Sequence, residues 1–269
     1  MHVGWREVAS SVSVLITTHN RIDLLRDRSL PSVSCQSQKP TQVILVDDSE
    51  AGQREQVKQV FFELIPESFN PIYLENNHAH GAAKAWNTGI QWALEKEPDG
   101  WVAILDDDDA WCPDHLGICA SQASEEVSAV ISGLVTILNG NKLEWKSPAP
   151  FSVSDFLRGN PGWQGSNTFV RGSALAAAGF FDEALHCTHD RDLAVRLLSL
   201  PGFSLKQTGV ATVEYFLDTG REALTTGERK KEGLIQFWRK HCHRMTHQDK
   251  VAFRDRALAL FHVPLECFP

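Results

Sequence analysis

The chain has 269 residues, 42% of them hydrophobic, and sets 26 Lys and Arg against 34 Asp and Glu for a formal net charge of -8. An acidic chain offers no basic face to neutralise phosphates, which argues against nucleic acid as the main partner, and the apolar share is enough for one large globular core. No stretch approaches the ~18 apolar residues of a membrane span, and the opening MHVGWREVAS lacks the basic and apolar regions of a signal peptide. Six cysteines, at 35, 112, 119, 187, 242 and 267, contain no CxxC pair, so a cytoplasmic protein with reduced thiols is expected.

In chain order, residues 1 to 11 read as a lead-in, and Val12 to Thr17 as a β-branched strand ending in Thr18, His19, Asn20 and Arg21. A helix is expected over Ile22 to Val33, a strand over Gln42 to Val46 ending in Asp47, Asp48 and Ser49, and a helix over Gly52 to Ile65 stopped by Pro66. Pro71 to Leu74 is a third strand, Gly81 to Leu94 a helix, and Trp101 to Leu105 an apolar strand covered on both faces. Such βα alternation predicts a mostly parallel central sheet flanked by helices, with ligands bound outside the carboxyl ends of its strands. The second half is less regular. It offers a helix over Pro113 to Ser121, a β-rich segment from Val127 to Leu138, a turn at Asn139-Gly140-Asn141 into a strand from Leu143 to Lys146, and a Pro- and Gly-containing loop from Ser147 to Gly165 with a short helix near Ser154 to Leu157. A strand over Ser166 to Arg171, helices over Ser173 to Ala178 and Asp190 to Leu200, a strand over Val210 to Tyr215 and two terminal helices, Glu228 to His241 and Gln248 to Phe261, complete the reading.

The Trp101 strand runs into four consecutive carboxylates, Asp106, Asp107, Asp108 and Asp109. Adjacent anions repel, so a divalent cation beside them is one reading, and a solvated acidic turn leading into a helix is the other. If the backbone stays extended, Asp106 and Asp108 face one way and Asp107 and Asp109 the other.

Six segments, VSVLITTHNR, QVILVDDSE, GAAKAWNTGI, WVAILDDDDAWCPDHL, GSNTFVRGSALAAAGFFDEAL and HDRDLAVRL, follow the order and approximate spacing of a family 2 glycosyltransferase, which the chain resembles over about Ser11 to Leu200. The resemblance implies a GT-A-type, Rossmann-like α/β fold. Its catalytic domain would span 1–215, with a nucleotide-sugar half about 11–110 and an acceptor half about 111–215, and a helical extension over 216–269 would pack on the same domain. It also implies an inverting, metal-dependent transferase that moves a sugar from a nucleotide-diphosphate donor, a UDP-sugar being favoured, to an acceptor hydroxyl.

By the same resemblance Thr17, His19 and Asn20 at the first strand end, with Asp48, hold the nucleoside. The acidic run matches the DxD motif, with Asp106 near the ribose, Asp107 in support, and Asp108 with Asp106 holding Mg2+ or Mn2+. HDRDL matches the family's glutamate-aspartate motif, which makes Asp190 the general base and Asp192 structural. Trp163, Gln164 and His189 fall on the acceptor side, and Trp163 is read either as a platform that stacks on a sugar ring or as a core tryptophan. His241, beside Cys242 and His243, is a candidate third metal ligand, although a helix end attracts histidine through its dipole alone.

Two positions depart from the pattern. His189 replaces a glutamate, which brings a group titrating near neutral pH beside the base, and Trp86 replaces an arginine. They motivate the alternative of a degenerate protein that binds nucleotide-sugar without turnover. An aspartyl phosphatase also begins with a strand and DxD, but Ala110 stands where that motif expects Thr or Val, and the strand is fourth instead of first. The sugar, the acceptor and the oligomeric state are not legible in the sequence.

Overall fold

The computed structural model describes residues 11–76, 81–145, 150–217 and 227–269. Most of the expected lead-in, together with Lys146, Ser147 and Pro148, lies outside the described residues.

Strand β1 (Val12–Thr18) leads into α1 (Ile22–Leu24), which passes through a π turn, Leu25–Ser29, into α2 (Leu30–Ser34). The sequence predicts one unbroken helix here. Pro31 lies in the first turn of α2, where its missing N–H costs nothing, and the wide turn before it lets Arg28 reach across to the acidic run. β2 (Gln42–Asp47), α3 (Ala51–Leu64), β3 (Pro71–Glu75), α4 (Ala82–Lys96) and β4 (Trp101–Asp106) follow. β1 pairs in parallel with β2 and β4, and β2 with β3, as the alternation predicts.

Beyond β4 the pairing direction changes. β5 (Ala110–Trp111), α5 (His115–Gln122), β6 (Ala129–Leu138), β7 (Asn141–Trp145), α6 (Val153–Arg158), β8 (Thr168–Arg171), α7 (Gly172–Ala178), α8 (His189–Leu197), β9 (Leu205–Leu217), α9 (Gly227–His241) and α10 (His247–Phe261) complete the chain. The sheet order is β3-β2-β1-β4-β8-β6-β9-β5, with β7 on β6. β8 runs antiparallel to both β4 and β6, while β9 is parallel to β6.

Two expectations are corrected. Ser166 and Asn167 sit in a short 3-10 turn before β8, because the Asn167 side chain is committed to the Ser132 and Gly162 carbonyls and to the Gln164 amide. β9 begins at Leu205, not Val210. Its register shifts against β6 around Gly133 and its alternation is interrupted, so the two-residue period is blurred over its first half.

An apolar cluster lies on each face of the sheet, and the one that contains Leu15 and Ile104 also takes in Leu234, Phe237, Trp238, Phe253 and Phe268. Trp238 packs within 5.5 Å, centroid to centroid, of both Phe253 and Phe268, so α9 and α10 share the core of the sheet. Among the described residues no helix is long and apolar enough to cross a membrane.

Candidate active site

At the end of β4 the chain turns, with the Asp109 amide donating to the Asp106 carbonyl at 3.3 Å. The turn sorts the four acids by their partners. Asp107 is buried and accepts from Thr18 Oγ1 at 2.7 Å and Arg21 Nη1 at 3.1 Å. Asp109 is buried and accepts from Ser166 Oγ at 2.5 Å and the Phe216 amide at 3.0 Å. Asp106 and Asp108 stay partly open to solvent, so the pair expected to share a face is the pair left available, although the backbone is not extended. Asp108 accepts from Arg21 Nη1 at 3.0 Å, and its carbonyl from Arg28 Nη1 at 2.9 Å.

Burial, followed by repulsion from Asp109, Asp108, Asp190 and Asp107, holds the Asp106 carboxyl well above the ordinary carboxylate range. Burial likewise raises Asp107 and Asp109. Crowded carboxylates of this kind are relieved by a cation, and the donors are all hard oxygens. Among the described residues no group of three or more His, Cys, Asp or Glu converges as a metal cage. The acids that stay partly open, Asp106 and Asp108, are the ones that could hold a divalent cation.

Gly165 lets the loop close on this cluster. A Cβ built on it would lie 2.7 Å from Asp106 Oδ2 and 2.9 Å from Oδ1. Gly165→Ala is expected to displace the Asp106 carboxylate and to cost ~1–3 kcal/mol of stability through overpacking, read as a lower midpoint in denaturant unfolding. An unchanged midpoint would show that the loop absorbs the methyl group.

The other strand ends converge on the same edge. Thr17 lies beside Asp106 in the β1–β4 register. His19 Nδ1 is 2.6 Å from the Asp48 carbonyl oxygen, and Asp48 accepts from Asn76 Nδ2 at 2.7 Å and the Gly81 amide at 3.0 Å. Asn20 adopts φ 55°, as asparagine tolerates, and ties the two strand-end loops together: its amide donates to Ser49 Oγ at 2.9 Å and its Oδ1 accepts from the Glu50 amide at 3.0 Å.

Asp190 sits in the first turn of α8, preceded by Thr188 in a left-handed conformation (φ 64°) that turns the chain sharply into the helix. Burial pushes its carboxyl up to about 7, with the Lys230 charge pulling it back. Its charge is among those that raise Asp106, so the two carboxylates lie close enough to act on each other. Tyr215 on β9 faces the same acids: its phenol is raised by burial and then by Asp109, Asp106, Asp108 and Asp190.

His189 Nε2 donates to the Leu185 carbonyl at 2.9 Å, and burial lowers its pKa from the ordinary histidine value, which favours the neutral ring. Its ring meets Trp86 edge-on at 5.7 Å, and Trp86 packs on Phe181 at 4.7 Å. The two departures from the family pattern therefore touch, and an aromatic contact joins α4 to the start of α8.

Two expected site residues belong elsewhere. Trp163 is only 2% exposed, its Nε1 donating to Thr168 Oγ1 at 2.8 Å beside the Phe156 ring, so it is a core side chain with no face left for a sugar. Its neighbour Gln164 is half-buried, and its carbonyl accepts from Thr168 Oγ1 at 2.8 Å. His241 is buried with Nε2 2.8 Å from Asp192 Oδ1, so its ring is committed to that carboxylate instead of a metal.

Asp192 is structural, as expected, and also holds Lys240 at 2.7 Å and Arg196 Nε at 2.9 Å. The hydrogen bond from His241 and the charges of Arg196 and Lys240 outweigh burial and hold its carboxyl far below the usual range. A depressed carboxylate stabilises the fold above its unfolded pKa of ~3.9, and that stability is lost as pH falls toward the folded value. Asp192→Ala is expected to cost ~1–3 kcal/mol in urea unfolding at pH 7, because it leaves the buried His241 ring without its acceptor and the half-buried Arg196 and Lys240 without their carboxylate. A loss under ~1 kcal/mol would mean that the cluster rearranges at little cost.

Arg21, Arg28, Tyr215 and Lys230 are the residues that sequence reading did not single out. Arg21 directly follows the first strand end, and that placement was its one signal; nothing near Tyr215 or Lys230 in the chain marks them.

The profile of a family described as Glycosyl transferase family 2 matches residues 13–183. The chain is 40% identical over 106 residues to the putative teichuronic acid biosynthesis glycosyltransferase TuaG of Bacillus subtilis, covering 39% of this chain and 38% of that one. It is 25% identical over 237 residues to the putative colanic acid biosynthesis glycosyl transferase WcaA of Escherichia coli, covering 86% and 81%. Among solved structures, Staphylococcus aureus TarS in complex with UDP-GlcNAc superposes with a TM-score of 0.68 at 16% identity, over 94% of this chain and 74% of that one. The mannosyltransferase PcManGT of Pyrobaculum calidifontis, in complex with GDP-Man and Mn2+, gives 0.63 at 18%, over 96% and 77%. At these identities the structural likeness speaks for a GT-A-type fold.

Proposed function

Because the chain belongs to glycosyl transferase family 2, we propose that it moves a sugar from a nucleotide-diphosphate donor to an acceptor hydroxyl, with inversion, and that Asp190 is the general base. The observation that carries this reading is a half-buried carboxyl in the first turn of α8, raised to about 7 and near enough to the acidic run for its charge to act on Asp106. A base poised near the working pH maximises the product of correct ionisation and proton affinity.

In this reading residues 11–110 hold the donor and 111–215 the acceptor, with the described helices of 216–269 as a buttress. Thr17, His19 and Asp48 contact the nucleoside. Asn20 and Asp107 hold the strand-end loops and Arg21 in place for it. A UDP-sugar is the favoured donor, which the UDP-GlcNAc complex of TarS supports. Asp108 and Asp106 would hold Mg2+ or Mn2+, whose chemistry there is to neutralise charge on the departing diphosphate; the Mn2+ named in the PcManGT complex supports that choice.

The acceptor oxygen attacks the anomeric carbon as the bond from that carbon to the diphosphate oxygen breaks. Asp190 takes the hydroxyl proton, and the nucleoside diphosphate leaves with the bonding pair. Gln164 and His189 border the acceptor side. Six free cysteines support a cytoplasmic setting.

Proton NMR of the first product formed tests the stereochemistry. The anomeric coupling is expected to show the configuration opposite to the donor's, and a retained configuration would overturn single displacement. Since only ionised Asp190 accepts a proton, kcat/KM is expected to rise with pH through about 7 and level off above it. A flat profile from pH 6 to 8 would remove Asp190 from the role.

A further inference from the structure

Arg21 stands at the start of α1, where its carbonyl accepts from the amide of the fully buried Leu25 at 3.0 Å, so its backbone is anchored. Its side chain crosses to the acidic run. There one nitrogen, Nη1, donates to Asp107 Oδ1 at 3.1 Å and to Asp108 Oδ2 at 3.0 Å, bridging the two carboxylates. Among the described residues its Nε and Nη2 donate to nothing. Arg28 also reaches this turn, but through the backbone: it donates to the Asp108 carbonyl at 2.9 Å and stacks over the Phe216 ring at 4.0 Å.

The two ends of the bridge are unequal. Asp107 is buried and also accepts from Thr18 Oγ1 at 2.7 Å, which makes its bond to Arg21 part of the fold. Asp108 keeps 37% of its side chain exposed and Arg21 30%, and among the described residues no other group donates to the Asp108 carboxylate. An ion pair this open to water is weak, so a stronger partner for either side displaces it. A divalent cation is such a partner for the carboxylate, and a diphosphate, which takes two N–H groups of a guanidinium at once, is such a partner for Arg21.

We propose that Arg21 is a positioning residue that guards Asp108: its guanidinium opposes loading by a divalent cation alone and is drawn off by the donor's diphosphate, so that cation and donor bind together. This rests on the transferase reading and adds the order in which its site fills. Two simpler roles compete with it. As a clamp on the turn, Arg21 would keep the acids in place, and its loss would weaken every ligand there. As a mere positive charge near the acids, it would be matched by Arg28.

The test reads Mn2+ affinity, without nucleotide, from loss of the free-ion paramagnetic resonance signal, and UDP affinity at saturating Mn2+ by calorimetry. The proteins are the full chain, Arg21→Met and Arg28→Met. Arg21→Met is expected to bind Mn2+ alone about fivefold more tightly and UDP about fivefold more weakly. A clamp would weaken both. Arg28→Met takes a charge from the same turn and leaves the Asp108 carboxylate bonded to Arg21, so it is expected to change either affinity by no more than about twofold. Arg21→Gln, which keeps an N–H for Asp107 and loses the charge, is expected to repeat the two opposite shifts and guards against misfolding of Arg21→Met. Mn2+ binding unchanged or weaker in the Arg21 variants, or equal shifts in Arg28→Met, overturns the guard alone. No Mn2+ binding by any of these proteins, with or without UDP, overturns the metal site and the guard with it.

Discussion

Asp190→Asn is expected to lower kcat by ~10²- to 10⁴-fold, the usual worth of a general base, with donor affinity nearly unchanged. The asparagine keeps the size of the side chain and the packing at the start of α8 but has no basic oxygen to take the acceptor's proton. Asp190 also raises Asp106 through repulsion, so removing its charge cannot weaken binding of an anionic donor at the acidic run and can only help it. The residual activity should lose the ionisation near pH 7 that burial of Asp190 produces. Initial rates over pH 6 to 9, with donor affinity measured separately, check both effects. A loss confined to KM, or a surviving limb at pH 7, would assign Asp190 to positioning and leave the proton with another group.

Asp108→Ala is expected to abolish cation-dependent donor binding, lowering affinity by ~10²-fold or more, since one carboxylate in a site with few protein ligands carries much of the hold on a hard cation. Asp106 alone would leave one carboxylate where the reading has two, and the loop at Gly165 packs close against it. The fold should survive. Asp108 is partly solvent-exposed, and its partner Arg21 keeps its bond to Asp107. Chelator should reproduce the effect in the unmodified protein and add nothing in the variant. Donor binding indifferent to both would mean that Asp106 and Asp108 bind no cation.

The strand ends were legible because a buried parallel strand has to announce itself: WVAIL is apolar at every position, VSVLIT and QVILV are apolar at most of theirs, and runs of polar groups follow each. Alternation pairs Asp106 with Asp108 only on an extended backbone; the chain turns there, and it is the partners of Asp107 and Asp109 that leave Asp106 and Asp108 the more open pair. Partners distant in sequence were not legible. Ser166, Tyr215 and Lys230 reach the site through antiparallel β8, β9 and the helical extension, and no local period encodes which strand pairs with which. Trp163 misled because a tryptophan in a Gly-Pro loop has the composition of an exposed platform, whereas here the loop folds back on Thr168 and buries it. His241 misled for a related reason: a buried carboxylate one helix away, Asp192, claims the ring. The contact between Trp86 and His189 was invisible as a pair, since the two are remote in sequence and each was read only as a departure.

The most direct measurement is calorimetric titration of the purified protein with UDP, GDP and their sugar conjugates, with Mn2+ and with chelator, alongside Asp108→Ala. A folded protein that binds one nucleotide-sugar in the presence of Mn2+, and loses that binding with chelator and in the variant, is the predicted result. A folded protein that binds no nucleotide under any of these conditions would contradict the transferase.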